Sequence, residues 1–298
     1  MNEFISDLRS VLGLSALKRV GRRMLDDDCF GLAGQLAFFS LLSLFPFLMF
    51  LVALAGLVIS DPGTVLRTLT ERMQDVLPRD VVGLLVDYID RTLRSATPSV
   101  LFLDVLAAFW SGWAAADALI KGTNRAYDLR ETRPLWKLAS LSVAMVWGLT
   151  LLIATLTLVV LGPEVGSYVL GLTGLPDTFL TLWGILRWAL AFLAVTVAQA
   201  VLYYLAPDAD LPFKWVTPGG LSATVLMFIS SAALRLHAAD FGRYDQIYGQ
   251  LGAVIVTMLW LYYTGLVLLI GAEMNAVLAR IVEERKGITF VWSGSASN

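Results

Sequence analysis

Residues Gly249 to Arg280 read GQLGAVIVTMLWLYYTGLVLLIGAEMNAVLAR, a stretch in which Glu273 and Arg280 are the ionisable carboxylate and basic side chains. No charge precedes Glu273 within it. A helix rises about 1.5 Å per residue, so about 20 residues cross a hydrocarbon core of about 30 Å. Gly252 to Ala272 is therefore predicted to span a membrane, with Glu273 near one end. Stepping back from Glu273 by helical turns places Leu269, Leu266 and Tyr262 on its face. A carboxylate among acyl chains costs about 3 kcal/mol on insertion scales, so Glu273 is expected to face protein or a wet cavity. It then either pins helices together near the interface or serves as a ligand or proton site, with plain solvation by headgroups a third option. Asn275 and Arg280 follow within two turns.

Composition agrees. Of 298 residues, 57% are hydrophobic and 15% charged, and the mean hydropathy is +0.72. Those values belong to a polytopic membrane protein rather than to a water-soluble globule. A net charge of −2 gives no electrostatic case for binding nucleic acid. With one Cys (Cys29) and one His (His237), an intrachain disulfide and a one-subunit Cys/His zinc or haem site are excluded, and no cofactor or metal is expected. A polar, charged leader precedes the first long apolar run, so no cleavable signal peptide is expected.

Working outward gives five more spans. Gly31 to Ser60 is uncharged, with Pro46 in its middle predicted to bend it, and Gly31, Gly34 and Gln35 predicted to give close helix approach and a buried polar contact. Ser99 to Ile120 carries Asp104 and Asp117 beside Trp110 and Trp113. Trp136 to Leu161 follows. Thr178 to Leu205 carries Arg187 and Gln199, with Ala191, Ala194 and Ala198 as a small-residue stripe. Trp215 to Leu236 completes the set. Before the first span, Phe4, Leu8, Val11 and Leu12 fall on one helical side, and Arg9, Lys18, Arg19, Arg22 and Arg23 are available to lipid phosphates.

The loop from Lys121 to Lys137 concentrates Lys121, Arg125, Arg130, Arg133 and Lys137, which marks it as cytoplasmic. The loop after the third span carries no Lys or Arg up to Asp177 and reads as external. Basic residues then fall about two to one on the side of both termini, so both are expected in the cytoplasm. The predicted organisation is all-α: a cytoplasmic amphipathic segment (1–29), a bundle of six transmembrane helices (30–281) with external amphipathic helices at 61–98, and a flexible cytoplasmic tail (282–298). Three spans per half would give the halves opposite orientations, although no sequence self-similarity supports a repeat.

Three pieces carry a family likeness: GLAGQLAFFSLLSLFP in the first span, ALIKGTNRAYDLRETRP after the second, and YDQIYGQLGAVIVTMLWLYYTGLVLLIGAEMN across the last. Together they resemble the YihY/BrkB family of bacterial inner-membrane proteins, from about Gly31 to Leu278. The resemblance implies six transmembrane helices in the inner membrane and an association with envelope and lipopolysaccharide biogenesis. That association makes lipid or lipid-linked export the expected activity. Within the matching motifs stand Gln35, Pro46, Asn124, Arg133, Pro134, Tyr248, Gly249, Trp260, Gly271 and Glu273. Asp117 and Arg187 rest on the residue reading alone. The family also carries an old ribonuclease label.

Two functions fit these residues. The first is a transporter or flippase for an anionic lipid or lipid-linked envelope precursor; no Walker loop is present, so energy for active transport would come from a gradient or another subunit. Its substrate or proton-coupling candidates are Glu273, Asp117, Arg187, Gln199, Gln35 and Asn275, and its headgroup candidates are Lys121, Arg125, Arg130, Arg133 and Lys137. The second is a non-transporting scaffold or regulator that binds partner proteins or anionic lipid through the same stripes and basic loop. Membrane lipids are the expected partners, a homo-oligomer is compatible, and nucleic acid is not expected. A nuclease needs clustered carboxylates around metals, and a Ser-His-Asp hydrolase needs a nucleophile elbow near His237; neither motif is present.

Overall fold

The computed structural model describes residues 14–58, 98–160, 178–209, 213–238 and 251–286, with isolated positions at 70, 82–83 and 86–87. Among them the regular structure is entirely helical: α1 (Leu14–Asp26), α2 (Cys29–Val58), α3 (Pro98–Ala126), α4 (Leu135–Val160), α5 (Thr178–Leu205), α6 (Phe213–Ala238) and α7 (Leu251–Lys286). Apart from those isolated positions, the expected helices of 61–98 lie outside the described residues up to the start of α3, as do the apolar face from Phe4 to Leu12, the loop to Asp177, Tyr248 and Gly249.

The last helix is the hub. It packs against α1, α2, α3 and α6, while α2 pairs with α3, α3 with α4, α4 with α5, and α5 with α6. Small and aliphatic residues at helical spacing make the seams. Cys29, Leu32, Ala33 and Leu36 of α2 meet Ala118 and Leu119 of α3 and Leu269 of α7. Tyr203 of α5 and Ala223 of α6 meet Val267, Ala272, Ala276 and Ala279. At the tightest approach, a Cβ on Gly271 would run into the Tyr203 hydroxyl, and one on Gly219 into the Gly271 carbonyl and the Asn275 side chain. The Tyr203 hydroxyl donates to the Leu268 carbonyl at 2.8 Å.

Elsewhere the outer faces are apolar. Along α5, Leu182, Ile185, Leu186, Leu193 and Val197 are exposed while Ala191, Gln199, Ala200 and Tyr203 are buried. Such a stripe of exposed large hydrophobic residues suits acyl chains rather than water. Leu182–Leu205 and Val254–Glu284 are long and apolar enough to cross a bilayer, and shorter apolar stretches occupy Cys29–Leu44, Leu135–Leu149 and Pro218–Ala233.

Three expectations change. Gln35 does not make a buried contact: it is exposed, because the inward stripe of α2 is Leu32, Ala33, Leu36 and Ala37. Gly31 and Gly34 are not points of close helix approach. A Cβ on Gly34 meets nothing within 4 Å, and one on Gly31 would meet its own cap, Asp28, whose Oδ1 accepts the Gly31 N–H at 3.3 Å. The described part of the N-terminal helix spends its apolar side on protein. Ala16 and Val20 of α1 are buried against Met274, Val277, Leu278 and Val282. That contact carries α7 on to Lys286, past the boundary at 281 read from the sequence. Pro46 lies within α2, whose helix runs through it.

Candidate functional site

Glu273 is fully buried on α7. Cys29, the first residue of α2, offers its thiol to Oε1 at 3.7 Å, whereas Oε2 is buried and meets no N–H, hydroxyl or thiol donor among the described residues. Asp27, in the turn between α1 and α2, brings its carboxyl group within hydrogen-bonding reach of Glu273. Two adjoining carboxylates are costly to ionise together, so such a pair is a natural seat for one shared proton. Burial pushes the Asp27 carboxyl above its usual range, and the Arg23 guanidinium works against that.

Arg23 ties this pair to a shell of opposite charges. Its Nη1 donates to Asp27 Oδ2 at 3.3 Å and to Asp128 Oδ1 at 3.0 Å, and its Nη2 donates to Asp128 Oδ2 at 2.8 Å. Arg280 donates to the same Asp128 oxygen at 2.7 Å and to the Ala126 carbonyl at 3.0 Å. Arg125 reaches the Asp27 carbonyl at 3.4 Å. Asp128 can serve α1 and α7 at once because it sits just past the end of α3 in the left-handed region, with φ of 56°. The Leu129 N–H closes that helix end by donating to the Asn124 carbonyl at 2.8 Å.

The basic loop builds a second knot. Asn124 donates through Nδ2 to Glu131 at 2.8 Å, and its Oδ1 accepts the Asp208 N–H at 2.8 Å. Arg133 donates through Nε and Nη2 to Glu131, both at 2.7 Å, and also to the Leu205 and Ala206 carbonyls. Thr132 donates to Asp208 from its N–H and its hydroxyl. The knot fastens the end of α3 to the end of α5. Burial disfavours the ionised Glu131, but hydrogen bonds from Arg133 and Asn124 outweigh it and hold this carboxyl below its usual range.

The remaining candidates are dispersed. Asp117 pairs with Lys121 one turn along α3 at 2.5 Å, on a partly exposed face. Arg125, Arg130 and Lys137 are exposed, with Lys137 5.5 Å over the Trp136 ring. Gln199 accepts from the Thr224 hydroxyl at 3.2 Å, and Asn275 Oδ1 accepts the Gly219 N–H at 2.7 Å. Both therefore join helices. Arg187 lies 5.6 Å over the Trp188 ring with a buried, unpartnered Nε, about 27 Å along α5 from Leu205 at about 1.5 Å per residue. These residues are not drawn around one hollow. Sequence reading missed Asp27, Asp128 and the joint role of Arg23. Asp27 stands in a run of three acids, Asp26 to Asp28, and nothing local in that run signals its partner on α7.

A family model described as Virulence factor BrkB matches residues 20–289. The chain belongs to the BrkB family. It is 32% identical over 248 residues, 83% of this chain and 88% of the relative, to YfkH of Bacillus subtilis (strain 168), whose name calls it ribonuclease-like. To a UPF0761 membrane protein of Alkalilimnicola ehrlichii it is 30% identical, covering 87% of this chain and 57% of that longer protein. To the UPF0761 membrane protein PSHAa0171 of Pseudoalteromonas translucida it is 26% identical over 295 residues, 94% of this chain and 93% of the relative. No solved structure matches. This BrkB-family chain is thus a helical membrane protein with bacterial relatives, and the family carries membrane-protein names rather than an established enzyme name.

Proposed function

We propose that this BrkB-family protein moves an anionic lipid or lipid-linked envelope precursor across the bacterial inner membrane, with proton binding at Glu273 and Asp27 as the coupling step. In this reading α2 to α7 are six spans, both termini are cytoplasmic, and the chain is not an enzyme. The observation that carries it is the fully buried Glu273 set beside a second carboxyl group, that of Asp27. Two carboxyl groups this close share a proton more readily than they ionise together, as a proton site requires. Exposed Lys121, Arg125, Arg130 and Lys137 would gather phosphate headgroups at the inner leaflet, with Arg133 anchoring the loop that displays them.

A non-transporting scaffold or regulator is the second reading, and one observation favours it. Gln199, Asn275, Asn124 and Asp208 are all engaged in bonds between helices or their ends. Reconstitution into liposomes with a labelled anionic lipid, with and without a pH gradient, separates the two. Transport predicts protein-dependent lipid movement that responds to the gradient, and a scaffold predicts none.

A further inference from the structure

The flank of α1 beside its apolar seam carries Arg19, Arg22, Arg23 and Asp26. Opposite them on α7, Glu273, Val277 and Arg280 recur at i, i+4 and i+7 and share a face. The helices run antiparallel, since Arg19 meets Glu284 while Asp27 meets Glu273. Between them lies a cleft of about 300 Å³ lined by Arg19, Arg22, Arg23, Asp26, Val277 and Arg280. Four arginines thus line this space together with Asp26, and Asp27, Asp128 and Glu284 pair with them from its edges.

The cations differ in how firmly they are held. Arg23 and Arg280 are oriented by Asp128 at 2.8 and 2.7 Å. Arg22 meets Asp26 at 3.7 Å and Arg19 meets Glu284 at 3.3 Å, both pairs largely exposed and so readily exchanged. Guanidinium forks match phosphate oxygens in pairs, and here they approach from two helices. Depth favours a lipid source over a dissolved one. Along the continuous α7, Arg280 stands seven residues past Glu273, about 10 Å at about 1.5 Å per residue, and Arg23 shares its Asp128 partner. The headgroup layer on each side of a bilayer is about 5–8 Å thick.

We propose that the cleft between α1 and α7 binds the phosphate of an anionic membrane-lipid headgroup, with Arg19, Arg22, Arg23 and Arg280 as donors. The inference rests on the proposed reading for its biology and names a headgroup site apart from the basic loop. Its test is retention of labelled phosphatidylglycerol by the full chain through gel filtration in neutral detergent, which needs no transport. Arg19→Gln/Arg22→Gln changes exposed side chains and spares the Asp128 clamp; it is expected to weaken retention about tenfold or more, one charged hydrogen bond being of that order. Arg280→Gln should weaken it too. Undiminished retention by Arg19→Gln/Arg22→Gln overturns the site. Loss confined to Lys121→Gln/Lys137→Gln overturns it as well while leaving the transport reading intact. Inorganic phosphate that displaces the lipid at equal concentration overturns the lipid assignment.

Discussion

Gly271 shows how closely single residues set the packing. A methyl group there meets the Tyr203 hydroxyl and ring, and that ring is fixed by its bond to the Leu268 carbonyl. Gly271→Ala is expected to destabilise the fold by about 1–3 kcal/mol, the range for overpacked sites. Gly34→Ala, where a Cβ meets nothing within 4 Å, should be neutral or mildly stabilising. Thermal melts of both variants in detergent check the contrast, and equal losses would contradict it. Glu131 supplies a pH test. Its carboxyl is held below the usual 4.5 by Arg133 and Asn124, so its stabilising contribution is full above that value and is lost as pH falls through the lowered one. The advantage of wild type over Glu131→Gln in melting temperature should therefore shrink below about pH 4.5. A gap constant from neutral to acid pH would show that the charge is not what fastens the loop. At this scale the sequence was only partly legible. Glu273 stood out because a charge at the end of an apolar run is costly, but its partner Asp27 is remote in the chain. Gln35 was misjudged because α2 is apolar all round, so its composition does not say which side turns inward.

At the scale of the element, α1 is the part whose environment matters most. Its apolar side fits lipid or protein equally well by spacing, and the structure gives it to α7 through Ala16 and Val20. Docking there goes with Arg23 reaching Asp128, whereas its pair with Asp27 is local, four residues along the chain. Val20→Asp puts a charge into that seam, where burial without a partner is expected to cost several kcal/mol. The expected outcome is release of α1 alone: faster trypsin cleavage at Arg19, Arg22 and Arg23 with the remaining helices protected. An unchanged cleavage pattern would mean that α1 is held by its ion pairs instead of its apolar side. Helix positions themselves were legible, since the described part of each expected span falls within one of α2 to α7. The extension of α7 to Lys286 was not, because its cause is contact with α1 and not the residues of the extension.

For the whole molecule, composition alone carried the class, because a chain this apolar with so few charges has no other solvent in which to expose its outer faces. The arrangement of polar groups was harder to foresee. Gln199 and Asn275 join helices, Asp117 pairs within its own helix, and Glu273 is joined by partners from the turn before α2. What unites the account is therefore one acid pair, the buried Glu273 of the hub helix and Asp27 of the turn before α2, proposed as the proton site of lipid movement. The direct test is translocation of a labelled anionic lipid in liposomes across a range of imposed pH gradients, comparing wild type with Glu273→Gln. The account predicts that the variant keeps its fold and its lipid binding but loses the response of lipid movement to the gradient; lipid movement with unchanged pH dependence would contradict it.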